Sequence, residues 1–131
     1  MNIFRAAFAA SVIGFAVPHV ATAQEAATPM TITLSSYAFA PSTVALKSGT
    51  TYKLHLVNSA AKDHNFAAPE FFAASTIASE DKTKVSDGAV EVGEGGAVDV
   101  TVTPGKAGTY NLNCTHFMHT MLGMKGTIVV Q

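Results

Sequence analysis

The stretch GTYNLNCTHFMHTMLGMKGTIVV, from Gly108 to Val130, places two strand-like segments around one loop. GTYNLN and KGTIVV contain the β-branched and aromatic residues that favour strands. Between them, residues 114–124 hold the only cysteine, two of the five histidines and three of the five methionines. If the two segments pair as neighbouring strands, this loop lies at one end of a sheet, where side chains from other segments can meet it.

The same strand signals recur along most of the chain. Runs of β-branched and aromatic residues are bounded by turn residues such as Ala40-Pro41-Ser42 and Ser48-Gly49. The predicted strands are ITLSSYAF, STVAL, TTYKLHLVN, AVDVTVTP, GTYNLNC and GTIVV. Short strands at this spacing predict an all-β fold, an antiparallel β-sandwich with Greek-key connections.

One segment, from Pro69 to Gly88, does not alternate. PEFFAASTIASEDKTKVSDG has charged and small residues but little pattern of period two. We expect an irregular or helical insertion around residues 73–88, with a helical turn or two within residues 75–81. Just before it, Phe71 and Phe72 fit either a short strand or anchors onto the core.

The N-terminal segment has the composition of an export signal. MNIFR carries one basic residue, about a dozen apolar residues follow, and Ala21-Thr22-Ala23 supplies the small residues that a signal peptidase reads. The apolar run is shorter than the roughly 20 residues of a membrane span. The sequence therefore predicts a signal peptide over residues 1–23, a periplasmic location, and a single mature domain over residues 24–131 with no membrane span.

The predicted mature domain carries seven lysines and nine acidic residues, a net charge of −2, and no basic run. Proteins that bind nucleic acid neutralise its phosphates with clustered lysines and arginines. This charge pattern argues against a nucleic-acid partner. The domain is long enough to enclose one core, and we expect a monomer.

Cys114 has no second cysteine in the chain with which to form a disulfide. An exported protein meets an oxidising compartment, where cysteines are usually paired. A lone thiol there is ordinarily a buried spectator or one half of an intermolecular disulfide. The residues that follow Cys114 favour a third interpretation, in which the thiolate is a metal ligand.

The spacing along the loop supports a metal site. Four residues separate Cys114 from His119, and four more separate His119 from Met124. Blue-copper centres use these ligand types, with one cysteine and two histidines in a plane and a distant axial methionine. The loop would therefore need a second histidine.

Three further histidines are candidates for that ligand: His55, His64 and His116. His55 alternates with leucines in a predicted strand, which favours a solvent-facing sheet residue. His64 is the best candidate, because it follows a strand end and a polar turn and precedes Asn65, which can make local hydrogen bonds. A single histidine is more often a surface residue than a ligand, so the residues alone leave the choice open.

These segments together resemble the cupredoxins, the small blue-copper family that includes azurin, auracyanin, rusticyanin and plastocyanin. ITLSSYAFAPSTVALKSGTTYKLHLVN resembles the first three strands of the family, and PGKAGTYNLNC and MKGTIVV resemble its last two. The spacing of cysteine, histidine and methionine is similar to that of rusticyanin and auracyanin loops. The resemblance covers most of the predicted mature domain and implies a Greek-key β-sandwich.

The resemblance also implies a function. It assigns four ligands to one copper ion: His64, Cys114, His119 and Met124. It implies that Asn65 and Thr115 form hydrogen bonds that join the two ligand segments and touch the thiolate. Members of the family transfer single electrons and perform no chemistry on a substrate. The resemblance thus implies a mononuclear type 1 copper protein, an electron carrier rather than an enzyme, whose redox partner docks near the loop histidine.

The loop departs from the family pattern in its extra soft donors. Many relatives have Pro-Gly before the loop histidine, where this chain has Phe117-Met118, and it adds His116 and Met121. In one interpretation, Phe117, Met118 and Leu122 form an apolar docking surface. In the other, His116, Met118 and Met121 receive or hold Cu(I), which thioethers favour. The second interpretation leaves a periplasmic copper carrier or tolerance protein as the alternative function.

An enzyme is the weakest hypothesis. Copper oxidases and nitrite reductases need further histidine-bound copper, and the four histidines of the predicted mature domain are too few for a second site. No oriented Ser-His-Asp or Cys-His arrangement indicates a hydrolase. The reduction potential depends on axial distance, burial and hydrogen bonds to sulfur, which a sequence does not display.

Overall fold

The computed structural model describes residues 14, 16–21 and 25–131. Most of the predicted signal peptide, residues 1–23, and its cleavage position after Ala23 lie outside the described residues. Within the described part of the chain, no helix combines the length and the apolar character needed to cross a bilayer.

Residues 28–130 form two sheets and two short helices. The strands are β1 (Thr28–Ser35), β2 (Ala38–Ala40), β3 (Thr43–Leu46), β4 (Tyr52–Asn58), β5 (His64–Ala67), β6 (Ser75–Ile77), β7 (Ala89–Val92), β8 (Ala97–Pro104), β9 (Gly108–Asn113) and β10 (Lys125–Val130). The helices are α1 (Pro69–Ala73) and a 3-10 helix (Ser79–Lys84). The predicted all-β fold is confirmed.

The two five-stranded sheets have the orders β2-β1-β4-β8-β6 and β3-β10-β9-β5-β7. Most neighbours are antiparallel, but β1 pairs with β4 in parallel and β10 pairs with β3 in parallel. The chain leaves β1 through β2, crosses to β3 in the other sheet, and returns at β4 in the direction of β1. The predicted antiparallel character thus holds for most strand pairs, and these two parallel pairs are an addition that sequence alternation does not reveal.

The core lies between the inward faces of the two sheets. Alternation along the strands sets these faces: in β4, for example, Tyr52, Leu54 and Leu56 are buried, while Lys53 between them is exposed. The largest apolar side chains with almost no exposed surface are Phe66, Phe71, Ile32, Leu34, Leu54, Leu56, Leu112, Met124 and Ile128. Burying each such side chain contributes about 1.5–3 kcal/mol. This core holds the strand ends that carry the functional residues.

The insertion has more regular structure than predicted. Helical structure begins at Pro69, before the predicted start near residue 73. Proline suits the first turn of α1, because the N–H that it lacks would have no partner there. Phe71 and Phe72 lie in this helix and are buried, which confirms that they are anchors and not a strand. The helical turns predicted within residues 75–81 were wrong at residues 75–77, which form an edge strand paired with β8; the helical part is the 3-10 helix at Ser79–Lys84. Three residues are too few to show alternation in the sequence.

Asp81 fastens the 3-10 helix to β8. Its carboxylate accepts hydrogen bonds from the Thr101 N–H at 2.7 Å and from Lys84 Nζ at 2.6 Å. Burial raises the pKa of Asp81, but the hydrogen bonds from Lys84 and Thr101 outweigh burial and leave this pKa below its usual value. The carboxylate therefore stays charged, and the insertion keeps its place beside the sheet.

Candidate metal centre

Three side chains of the types that bind metals, from two parts of the chain, lie close together in the structure. His64 begins β5, Cys114 follows β9, and His119 lies in the loop between β9 and β10. Their ligand atoms all lie within 4.8 Å of one another. Cys114 Sγ is 3.7 Å from His64 Nδ1 and 3.4 Å from His119 Nδ1. We call these three residues the donor cluster.

The register between β5 and β9 explains this meeting. Asn113, the last residue of β9, pairs with Ala67, the last residue of β5, in the antiparallel sense. The residues after Asn113 therefore run back along β5 towards its first residue, His64. Side chains alternate along β5, so His64 shares the inward face with Phe66, and Asn65 takes the opposite face.

The donor cluster is shielded from water. His64 and Cys114 have no exposed surface, and His119 is 9% exposed. Burial lowers the pKa of His64, and the neighbouring imidazoles of His119 and His116 lower it further. Burial also lowers the pKa of His119, with smaller effects from His116 and Lys62. A neutral imidazole keeps the nitrogen lone pair that a metal needs.

Met124 is held beside the donor cluster by its backbone. Its N–H donates to the His119 carbonyl at 3.0 Å, and its carbonyl accepts from the Cys114 N–H at 3.2 Å. The residue is fully buried and directly precedes β10. These backbone contacts place Met124 next to the cysteine and the loop histidine.

Asn65 joins β5 to the loop in the way that the resemblance implies. Its backbone N–H lies 3.5 Å from Cys114 Sγ. Its side-chain Oδ1 accepts from the Thr115 N–H at 2.9 Å, and its Nδ2 donates to Thr115 Oγ1 at 2.7 Å. Thr120 Oγ1 completes the local network by donating to the Cys114 carbonyl at 2.5 Å. An N–H directed at sulfur favours the thiolate over the thiol.

The extra soft donors of the loop lie outside the donor cluster. Met121 is 80% exposed and Met118 is 46% exposed. Phe117 and Leu122 are also exposed, and we call these four residues, which flank the loop histidine in the chain, the apolar rim. Met118 also has a left-handed backbone, φ 63°, at the position where the Pro-Gly pattern of the family places glycine.

The remaining histidines of the predicted mature domain are bonded to acidic residues. His55 lies on β4 in the other sheet, with Nδ1 2.5 Å from Asp99 Oδ1. His116 Nε2 lies 2.8 Å from Glu91 Oε2, and its ring stacks on that of His119 with centroids 5.7 Å apart. Neither is part of the donor cluster, so the structure favours His64 as the second histidine beside Cys114 and His119.

Two residues near the site were not predicted from the sequence. The ring of Tyr37 lies 5.0 Å from that of His119 and 6.3 Å from that of His64, measured between centroids. Glu91, on β7, contacts both Asn65 and His116. Both contacts depend on how distant strands are arranged, and no local pattern around either residue signals them.

The sequence profile that describes the cupredoxin-like domain matches residues 6–130 of the chain. The chain belongs to the cupredoxin-like family. No curated protein sequence matches it. The resemblance seen in the strands and the loop is thus confirmed at the level of the family.

Solved structures share the fold of this cupredoxin-like chain. Auracyanin B matches with a TM-score of 0.61 and 21% identity, over 84% of this chain and 93% of that one. Auracyanin A, a "blue" copper protein from Chloroflexus aurantiacus, matches with a TM-score of 0.54 and 22% identity, over 79% and 99%. A multicopper oxidase from Campylobacter jejuni matches with a TM-score of 0.59 and 12% identity, over 84% of this chain but 31% of the oxidase. At these identities the likeness concerns the fold.

Proposed function

We propose that this chain is a mononuclear type 1 copper protein that carries single electrons between redox partners. The observation that carries this proposal is that one cysteine and two histidines are buried together, with their ligand atoms within 4.8 Å of one another. A thiolate, two imidazoles and a thioether are the donor set of blue-copper centres. Auracyanin A, a copper protein of the same fold, supports the choice of metal.

The residues of the proposed site would have different roles in binding the metal. His64, Cys114 and His119 would bind copper through Nδ1, Sγ and Nδ1, and Met124 would supply a weak fourth ligand. Bound copper would supply a one-electron couple between Cu(II) and Cu(I). Burial excludes water, and the Asn65 N–H stabilises the thiolate. Because the donors are carried by β5, β9 and β10, which are neighbouring strands of one sheet, they would hold nearly the same positions in both oxidation states, which would favour rapid electron transfer.

The apolar rim is the surface that we assign to the redox partner. His119 is the one residue of the donor cluster with any exposed surface, and the rim residues surround it in the loop. Docking there would bring the partner close to a copper ligand. We further propose that residues 1–23 direct export to the periplasm and that the mature chain is a monomer there.

A copper oxidase would need a second cluster of histidine ligands, which disfavours a role in catalysis. In the described part of the chain, His64, Cys114 and His119 form the one cluster of this kind. The Campylobacter jejuni oxidase is matched over 31% of its length, so the likeness involves one part of a larger enzyme. We therefore propose a carrier and not an oxidase.

Visible absorption of the purified protein with one equivalent of Cu(II) tests the proposed function. We expect an intense thiolate-to-copper charge-transfer band, because a short bond between Cu(II) and a thiolate produces one. A protein that binds Cu(II) and stays nearly colourless would refute the electron-carrier proposal.

The exposed methionines support a second candidate function, a periplasmic copper carrier or tolerance protein. Met121 is 80% exposed two residues after His119, and Met118 directly precedes that histidine. Thioethers bind Cu(I) in preference to harder ions. The rim would then receive Cu(I) from a donor and pass it inward.

Met124→Leu separates the two functions when it is compared with Met121→Leu and Met118→Leu. For an electron carrier, we expect Met124→Leu to keep the visible band and raise the reduction potential, since the lost thioether stabilises Cu(II) more than Cu(I). Each tenfold loss of Cu(II) affinity relative to Cu(I) affinity raises the reduction potential by about 59 mV. The two rim variants should leave spectrum and potential near those of the wild type.

Potentiometry and a Cu(I) competition assay on the three variants provide the measurement. If Met121→Leu shifts the potential as much as Met124→Leu does, the axial role of Met124 is wrong. If the rim variants instead weaken Cu(I) binding or slow copper uptake from a donor, the carrier function gains support.

A further inference from the structure

Glu91 reaches the site from β7, the edge strand of its sheet. Its Oε1 accepts a hydrogen bond from Asn65 Nδ2 at 2.8 Å, and its Oε2 lies 2.8 Å from His116 Nε2. Glu91 and Asn65 are directly opposite each other in the antiparallel pair of β5 and β7. Side chains at such positions lie on the same face of a sheet. One carboxylate therefore contacts both β5 and the loop.

The contact with Asn65 fixes the orientation of its amide. A carboxylate only accepts hydrogen bonds, so it requires the NH₂ group of Asn65 on its side. This leaves Oδ1 for the Thr115 N–H, while the two hydrogens of Nδ2 go to Glu91 and to Thr115 Oγ1. Asn65 is 3% exposed with Glu91 in place, so the loss of this partner would release one amide hydrogen from its fixed acceptor.

The contact with His116 fixes an aromatic ring against the loop ligand. The rings of His116 and His119 have an interplanar angle of 29°. With Nε2 held by Glu91, the His116 ring cannot turn away from His119 without breaking a hydrogen bond to a charged group. Glu91 thus restrains His119 through His116 and the segment of Cys114 through Asn65, with no hydrogen bond to either proposed ligand among the described residues.

Building on the proposed copper site, we propose that Glu91 is a positioning residue that holds both ligand segments in their metal-binding geometry. It acts through Asn65 and Thr115 on the Cys114 segment, and through His116 on His119. Hydrogen-bond partners of this kind typically change metal affinity by about 10–100-fold when they are removed. The carboxylate charge would also favour Cu(II) over Cu(I), so the test must separate position from charge.

Glu91→Gln and Glu91→Ala make that separation. Glutamine removes the charge but can keep both contacts, because its carbonyl accepts from Asn65 and its NH₂ donates to His116 in the opposite tautomer. Alanine removes the charge and both contacts. Glu94→Ala is the matched control: Glu94 is exposed in the turn after β7 and makes no side-chain hydrogen bond within the described residues.

We expect Glu91→Ala to lower the Cu(II) affinity by about tenfold and to alter the charge-transfer band. In the metal-free protein, the Asn65 side-chain NH₂ should lose its protection from hydrogen exchange in ¹⁵N NMR spectra. Glu91→Gln should restore the affinity, the band and the protection to near wild-type values, and Glu94→Ala should change none of them.

Two results would overturn the role of Glu91. If Glu91→Gln is as impaired as Glu91→Ala, charge and not positioning is responsible. If Glu91→Ala matches the wild type in affinity, band and Asn65 exchange, Glu91 has no role at the site. The wild-type spectrum tests the proposed function separately, and the metal-free exchange measurement reads the Glu91 contact even if that spectrum shows no band.

Discussion

We expect Cys114→Ser to remove essentially all of the visible charge-transfer band of the copper-loaded protein. Serine is nearly the same size and keeps the backbone hydrogen bond from residue 114 to the Met124 carbonyl. Its hydroxyl is not ionised near neutral pH and does not replace the thiolate as a ligand. Absorption spectra recorded during Cu(II) titration of both proteins measure the effect.

The metal-free proteins provide the control for this substitution. Cys114 is buried in the core beside the Asn65 N–H, which can donate to a serine oxygen as well as to sulfur, so the metal-free variant should still fold, and thermal unfolding of both proteins checks this. A variant that folds normally and still shows the band would mean that another group donates the charge, and the proposed site would be wrong.

His64→Ala is expected to have the second largest effect. It removes one of the two imidazoles and opens a position in the buried donor cluster, so the band should be lost or strongly changed. The loss of Cu(II) affinity should exceed the range of about 10–100-fold that follows from removing an outer hydrogen bond. Visible spectra and Cu(II) titrations measure both quantities.

His55→Ala is the matched control for His64→Ala. It makes the same chemical change in β4 of the other sheet, where His55 contacts Asp99 and no member of the donor cluster. Its spectrum should match that of the wild type. An unaltered spectrum in His64→Ala would instead assign the second imidazole to His55 or His116.

The three proposed ligands of the loop could be named from the sequence because they are close together in it. Cys114, His119 and Met124 keep their spacing whatever the surrounding fold, so residue type and spacing suffice. His64 lies fifty positions before Cys114, and only the register between β5 and β9 brings the two together. The residues left that choice open, and the family resemblance was needed to select His64.

The features that the sequence did not predict all depend on contacts between distant segments. β5 is buried on both faces, so its sequence does not alternate between apolar and polar residues. β7 is also only four residues long, which is short for a recognisable pattern. The parallel pairing of β1 with β4 follows from the path of the chain between sheets. Glu91 resembles any exposed strand residue until β7 is placed beside β5.

The ligand loop closes on itself. Its base is the paired Asn113 and Lys125, and its interior is a series of turns bonded within the loop, such as the Leu122 N–H to the Met118 carbonyl. The strand register of the sandwich therefore does not depend on the exposed rim residues Phe117, Met118, Met121 and Leu122. Over evolutionary time, the rim can change in sequence, and with it the choice of partner, while the scaffold that carries it is inherited intact.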